Sequence, residues 1–271
     1  MPELPEVETV RRGLAPHLIG RLLLGARVRE PRLRWPVPDD LDERVAGRRV
    51  EALARRGKYL IMTLDRGHLI LHLGMSGSLR LTPGPTPVEK HDHLDLILAD
   101  ERVLRYRDPR RFGAVLWSEA PERHPLIAGL GVEPLDDGFD GDWLYAASRN
   151  LRAPVKSWLM DAHVVVGIGN IYANEALFHA GIHPLLPAGK LTRPRCRRLA
   201  EAIRDTLNLA IAAGGSTLRD FVDSHGQPGY FQQTYFVYGR GGEDCRRCGS
   251  EIRSTRLGNR TTSFCPVCQK K

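Results

Sequence analysis

The sequence predicts an α+β chain of more than one domain: a β-sandwich led by one helix, then a helical half, then a short metal-pinned β-hairpin. Three observations predict it. Short apolar segments separated by Gly, Pro and charged clusters recur from residue 21 to about 118, helical periodicity replaces them after residue 141, and four of the five cysteines fall in the last 27 residues. With 271 residues, 42% hydrophobic and 27% charged, the chain is long enough to bury a core and to form more than one domain.

An amphipathic helix is expected first, near residues 6–14. The apolar segments 22–28, 59–64, 68–73, 94–98, 103–106 and 114–117 have strand length and turn-forming boundaries, which is the pattern of a two-layer sandwich. Residues 119–141 turn to Pro, Gly and Asp and mark a linker. Beyond it, helices are expected over 143–150, 155–161, 170–180 and 193–213, with a short turn at 217–222 and a loop over 223–235 long enough to move. Cys196 lies on one helical stripe with Leu199, Ile203, Leu207 and Ala210, as a buried structural thiol would.

The C-terminal cysteines are spaced Cys245-x2-Cys248-x16-Cys265-x2-Cys268, which closes two knuckles around one tetrahedral Zn2+. A disulfide pair is the competing reading and is disfavoured in a reducing compartment. Gly249 permits the tight turn under the metal, and Ser263-Phe264 leads extended into the second knuckle. From Tyr235 onward, eight basic side chains face three acidic ones, so the tail stays basic even with four thiolates on the metal.

Forty Lys plus Arg against 32 Asp plus Glu give +8 and a pI near 9.5, which favours a polyanionic partner. No apolar run approaches the ~18 residues of a membrane span, and the first thirty residues carry Glu3, Glu6, Glu8 and several arginines in place of a signal-peptide core. A cytoplasmic protein without a membrane partner is expected.

Removal of Met1 would leave Pro2 as a secondary amine beside Glu3. An α-amino group with a pKa of roughly 7.7 to 8.0 is about one-tenth neutral at pH 7, and only the neutral amine attacks a carbonyl. Because proline's nitrogen already carries two carbons, its aldehyde adduct stays a cationic iminium that acidifies the neighbouring C–H bond, so elimination follows addition. By itself Met-Pro-Glu also fits an ordinary processed terminus.

Several motifs in order bear on that choice: Pro2-Glu3-Leu4-Pro5-Glu6-Val7-Glu8-Thr9, Gly57-Lys58-Tyr59-Leu60, His72-Leu73-Gly74-Met75-Ser76-Gly77, Glu89-Lys90-His91-Asp92-His93, Asp108-Pro109-Arg110-Arg111-Phe112-Gly113, Gly167-Ile168-Gly169-Asn170-Ile171-Tyr172 and the cysteine tail. Together, and over essentially the whole length, they resemble the bacterial formamidopyrimidine-DNA glycosylases. The resemblance implies a catalytic β-sandwich domain over residues 1–132, a helix-two-turn-helix DNA-binding domain over 133–234 and a zinc finger over 235–271. It implies one structural Zn2+, a monomer acting on damaged double-stranded DNA, removal of oxidised purines and then strand scission by β- and δ-elimination.

Carried over residue by residue, the resemblance makes Pro2 the nucleophile at C1′ and Glu3 its acid/base partner, with Glu6 in support. Lys58 takes part in the elimination and holds DNA, and Arg260 reaches the damaged site from the finger. Met75, Arg110 and Phe112 fill the space left by the flipped nucleotide, which suits a flexible thioether, a planar guanidinium and a phenyl ring. His91, Arg152, Lys156 and Asn170 are implied backbone contacts, Asn170 also as the cap of a helix whose N–H groups receive a phosphate. Glu175 either lines the pocket or holds a neighbouring cation. Two alternatives share part of the pattern: the sister class that removes oxidised pyrimidines, and a zinc-ribbon DNA-binding protein without catalysis.

Overall fold

The computed structural model describes residues 1–215 and 235–271, so the turn expected at 217–222 and the loop expected up to Tyr235 lie outside the described residues. Two compact units emerge, residues 1–129 with 213–215, and residues 130–212 with 235–271.

The first unit runs α1 (Leu4–Leu18), β1 (Leu22–Val28), α2 (Leu41–Val45), β2 (Arg48–Arg56), β3 (Tyr59–Leu64), β4 (His68–His72), β5 (Ser78–Pro83), β6 (Asp92–Leu98), β7 (Arg102–Arg107), β8 (Ala114–Ser118) and α3 (Pro125–Ala128). Its strands are hydrogen-bonded in the order β5-β7-β6-β1-β2-β3-β4-β8. At the centre of that order β1 and β2 share only two residue pairs, Leu22 with Arg49 and Leu23 with Arg48. The narrow seam lets the ribbon fold into two four-stranded layers. Leu23, Leu94, Leu96 and Leu104 from one layer meet Leu60, Met62, Leu69, Leu71 and Val115 from the other in a single apolar core, which Val7, Val10 and Leu14 of α1 complete.

Helix α1 starts two residues before its apolar periodicity does. Glu3 and Glu6 form a capping box, and Pro5 occupies the first turn, where its missing N–H is not needed. Strands β2 and β5 have no counterpart among the sequence expectations. In β2 only Val50 and Leu53 are buried while five of nine residues are charged, so the segment reads as a charge cluster although it pairs with β3 along its length.

The second unit contains α4 (Gly141–Ser148), α5 (Val155–Leu159), α6 (Asn170–His179), α7 (Arg193–Ala212), β9 (Arg253–Leu257) and β10 (Arg260–Phe264). Asp140 opens α4 by accepting the Trp143 N–H at 2.7 Å. Every residue of α6 from Ile171 to Phe178 is buried, as befits a helix packed on all sides. Strands β9 and β10 pair from Arg260 with Leu257 to Phe264 with Arg253, and Gly258, at φ +58°, supplies the left-handed residue of the two-residue turn. The tail is fastened to the end of α6: Gln269 Nε2 donates to the Ile182 carbonyl at 2.9 Å and Lys270 N to that of Gly181 at 3.1 Å. Among the described residues no helix is long and apolar enough to cross a membrane.

Candidate active site and nucleic-acid interface

In the first unit the candidate chemistry begins at the mouth of α1. Pro2, Glu3 and Glu6 are all buried. The Glu6 carboxylate accepts the Glu3 N–H at 2.7 Å, which fixes the peptide that carries Pro2. Glu8, one turn on, binds Arg11 at 2.8 Å, Arg12 at 2.7 Å and, from β2, Arg55 at 3.2 Å. Burial pushes the Glu8 carboxyl up, but the hydrogen bonds from Arg11 and Arg12 and the charges of Arg11 and Arg55 outweigh it and bring its pKa down to about 2. Helix α1 is thereby locked to the adjacent layer, and its exit angle is fixed.

Lys58 occupies the two-residue turn between β2 and β3, after Gly57 at φ +57° and inside the Arg56 to Tyr59 pair, so it projects from the strand end. Opposite Tyr59 in the β3–β4 register stands His72, the ring centroids 4.7 Å apart. Burial, with the charges of Lys58 and Arg34, lowers the His72 pKa to about 4 against a weaker opposing pull from Asp108. The neutral imidazole accepts the Gly74 N–H on Nδ1 at 3.1 Å. In the sequence His72 stands within a motif but carries no assigned role; its register opposite Tyr59 was the missing information.

Met75, Arg110 and Phe112 come from two loops, after β4 and after β7. Met75 is half-buried, and Phe112 is 42% exposed although it is a large aromatic side chain. The exposed Arg110 guanidinium lies 4.9 Å above the Phe112 ring centroid. His91, half-buried, precedes β6 with φ +78°, and its carbonyl accepts the Asp108 N–H at 3.1 Å.

In the second unit, three expectations change. Gly169, with φ −128° and ψ −155°, is the N-cap of α6, and Asn170 is its first helical residue. The Asn170 side chain instead donates from Nδ2 to the Thr261 carbonyl at 3.1 Å and accepts Lys156 Nζ at 2.6 Å. Lys156 is only 1% exposed, and its ammonium also reaches the Thr261 carbonyl at 3.1 Å and Thr262 Oγ1 at 2.7 Å. An ammonium has three donors. All three are engaged inside the protein, so Lys156 is not a surface ligand for phosphate: it joins the start of α6 to β10. Glu175 is likewise internal. Its carboxylate accepts the consecutive N–H groups of Phe236, Val237 and Tyr238 at 2.8, 3.0 and 2.8 Å. Burial raises its pKa, and those three bonds with the Arg240 charge pull the other way. It anchors the lead-in to the zinc module, and among the described residues no cation forms an ion pair with it. Arg152 is exposed between α4 and α5, and Arg260 is exposed at the hairpin turn.

The four cysteine sulfurs all lie within 4.8 Å of one another, with Cys245 to Cys268 at 4.0 Å and Cys248 to Cys265 at 3.5 Å. A tetrahedron of sulfurs with Zn–S near 2.3 Å has edges of about 3.8 Å, so the set fits one zinc ion. Gly249, at φ +73°, returns its N–H to the Cys245 carbonyl at 2.8 Å, and the Cys268 N–H points at Cys265 Sγ at 3.3 Å. Cys245 and Cys265 pack with Phe178, Val237 and Ile252 in one small core. Arg260 stands five residues before the second knuckle, roughly 17 Å of extended strand from it.

Three family descriptions match successive parts of the chain: the formamidopyrimidine-DNA glycosylase N-terminal domain over residues 1–115, the H2TH domain of the same glycosylase over 130–222, and the zinc finger found in FPG and IleRS over 242–271. The chain belongs to the formamidopyrimidine-DNA glycosylase family. The formamidopyrimidine-DNA glycosylase of Stutzerimonas stutzeri (strain A1501) is 57% identical over 270 residues, which spans the full length of both proteins. Two solved structures of the family are similar throughout. A Lactococcus lactis FPG variant in complex with a Fapy-dG containing DNA superposes with a TM-score of 0.92 at 36% identity, covering all of both chains. MutM (FPG) from Thermus thermophilus gives 0.88 at 38% identity, covering 99% of this chain and 98% of that one. The zinc-finger match and the sulfur geometry agree on one structural Zn2+ in this family member.

Proposed function

We propose that this chain excises oxidised purines from duplex DNA and then cuts the strand, with the amine of Pro2 as nucleophile once Met1 is removed. The observation that carries this is the buried Pro2-Glu3 dipeptide, its backbone fixed by the Glu6 carboxylate at 2.7 Å. The Pro2 nitrogen bonds to C1′ of the damaged nucleotide, and the base departs with the electron pair of the glycosidic bond and takes up the proton that the Pro2 nitrogen gives up. Glu3 protonates the sugar ring oxygen as the C1′–O4′ bond opens, which leaves an iminium at C1′. Glu3 then takes a C2′ proton, the C3′–O3′ bond breaks, and a second elimination at C5′ follows with help from Arg260.

Lys58, at its strand-end turn, serves the elimination and holds the backbone. Met75, Arg110 and Phe112 enter the stack from which the damaged nucleotide has been extruded, and His91, Arg152 and Asn170 grip phosphates. Lys156 acts on DNA only through Asn170 and β10. Zinc fixes the fold of the finger that presents Arg260. One molecule suffices for one flipped nucleotide, and the protein works as a monomer in the cytoplasm, at the DNA.

Borohydride trapping tests the chemistry. A lesion-bearing duplex should become covalently attached to the processed protein, whereas a preparation that retains Met1 should bind DNA with near-normal affinity and form no adduct. Trapping by the Met1-retained protein would refute Pro2 as nucleophile. Excision rates on duplexes bearing an oxidised guanine or an oxidised pyrimidine separate this function from that of the sister class.

A further inference from the structure

Met75, Arg110 and Phe112 sit on loops without regular structure, yet a wedge must keep its shape while it parts two base steps. Asp108 supplies a means. It follows β7, is 0% exposed, and belongs to a motif in which only Arg110 and Phe112 have been given work. Its Oδ1 accepts Ser76 Oγ at 2.9 Å and the Arg110 N–H at 3.3 Å, while Oδ2 accepts the Gly113 N–H at 2.9 Å and the Tyr106 hydroxyl at 3.4 Å. Ser76 in turn accepts the Arg110 N–H at 3.2 Å. The Asp108 main chain continues the pattern, donating to the His91 carbonyl at 3.1 Å and accepting the Arg111 N–H at 3.1 Å. One carboxylate therefore ties the Met75 loop to the Arg110–Phe112 loop, with a hydrogen bond on each side of Phe112.

The two loops also touch backbone to backbone. A Cβ added at Gly74, where φ is +62°, would meet Gly113 N and Phe112 C at 2.5 Å. A Cβ at Gly113 would collide with the Tyr106 hydroxyl and the His72 carbonyl, which are themselves joined at 3.0 Å. Glycine permits the contact and the buried carboxylate fixes its register, because a carboxylate is an acceptor on every side and the Ser76 hydroxyl and the Arg110 and Gly113 N–H groups that face it are donors.

We propose that Asp108 is the positioning residue that holds Met75, Arg110 and Phe112 in their inserting geometry, so that excision from duplex depends on it while the chemistry at Pro2 does not. The proposal rests on the wedge role given to those three residues above. Asp108→Asn is nearly isosteric, but its amide turns one acceptor into a donor facing other donors. Ser76→Ala removes only the hydroxyl that relays Asp108 to Arg110. Each variant is assayed by single-turnover excision of an oxidised guanine from duplex, by elimination at a preformed abasic site in single-stranded DNA, where no stack has to be parted, and by the fluorescence of a base analogue beside the lesion, which reports insertion.

For Asp108→Asn the duplex excision rate should fall about 100-fold, the loss a misplacement of about 1 Å can produce. Its single-strand elimination should stay within about threefold of wild type, and the insertion signal should be delayed. Ser76→Ala should show the same split at about tenfold, and it carries the test if Asp108→Asn does not fold. Wild-type duplex excision by both variants, or equal losses on the two substrates, would overturn the proposal. Met75→Ala and Phe112→Ala separate it from the reading beneath it: normal insertion in those two would remove the wedge itself, whereas their failure beside an intact Asp108→Asn would remove only the role of Asp108.

Discussion

Lys156 Nζ lies 2.6 Å from Asn170 Oδ1, at the point where α5, α6 and the zinc hairpin converge. A buried ammonium is tolerated only where its donors are satisfied, and this one spends its donors on Asn170, Thr261 and Thr262. The start of α6 and the base of β10 thus share a single cation. Asn174, one turn further along α6, repeats the linkage by accepting the Ser263 N–H at 3.0 Å.

Replacing that cation with an apolar chain of similar length should therefore act through geometry. Lys156→Met leaves Asn170 Oδ1 and Thr262 Oγ1 without their charged donor and should destabilise the protein by about 2 kcal/mol. DNA affinity should drop as Asn170 and the hairpin lose register, but the slope of log affinity against log salt should stay at the wild-type value, because no phosphate contact is removed. Substituting a true phosphate ligand would reduce that slope by about 1. A salt titration of both proteins makes the comparison, and a shallower slope for Lys156→Met would put the ammonium on the DNA after all.

Acid stability should report the clamp around Glu8. Its folded pKa of about 2 lies below the ordinary 4.5, so the stabilisation is fully present above about pH 4.5 and disappears as pH falls toward 2. The full shift corresponds to at most about 3 kcal/mol. Glu8→Gln should be less stable than wild type at pH 7 by an amount of that order, and the gap should close near pH 2. Denaturant midpoints at several pH values measure the gap; one that stays constant with pH would mean that Arg11, Arg12 and Arg55 do not hold the carboxylate in solution.

Much of this architecture was legible because the strongest signals are local. Strands β1 and β3 follow runs such as Leu22 to Val28 and Tyr59 to Leu64, and the cysteine spacing sufficed for a sulfur tetrahedron. Strand β2 was hidden because five charged residues mask two buried apolar ones. The functions of Lys156 and Glu175 were hidden for a different reason. A lysine or glutamate reads as a surface group until its partners are known, and those partners lie 105 and 61 residues away along the chain. Asp108 shows the same limit: its motif was visible, but its bond to Ser76 spans 32 residues.

Zinc removal should act within the second unit. Cys245 and Cys265 form part of the small core with Phe178, and Phe236 stacks on Phe178 at 5.2 Å between centroids. Chelation should release amide protection across residues 235–271 and loosen the C-terminal end of α6, while β3, β4 and β6 of the sandwich keep theirs. DNA affinity should fall with it. Hydrogen exchange with and without chelator maps the effect, and unchanged protection in β9 and β10 would contradict a structural role for the metal.

The capping box at the start of α1 separates holding the nucleophile from being it. Glu6 is 0% exposed and its carboxylate accepts the Glu3 N–H, so Glu6→Ala should cost about 1 kcal/mol of stability, the usual worth of a cap. Its larger effect should be kinetic. With the Glu3 peptide released, the Pro2 nitrogen samples more orientations, and borohydride trapping on a lesion duplex should slow by about 10- to 100-fold at saturating DNA. Glu6→Gln keeps a carbonyl oxygen for the same N–H and should recover most of that rate. Rapid trapping by Glu6→Ala would show that the amine finds C1′ without a fixed first turn. Equal slowing of both variants would instead assign Glu6 a charge-dependent role beyond the hydrogen bond seen here.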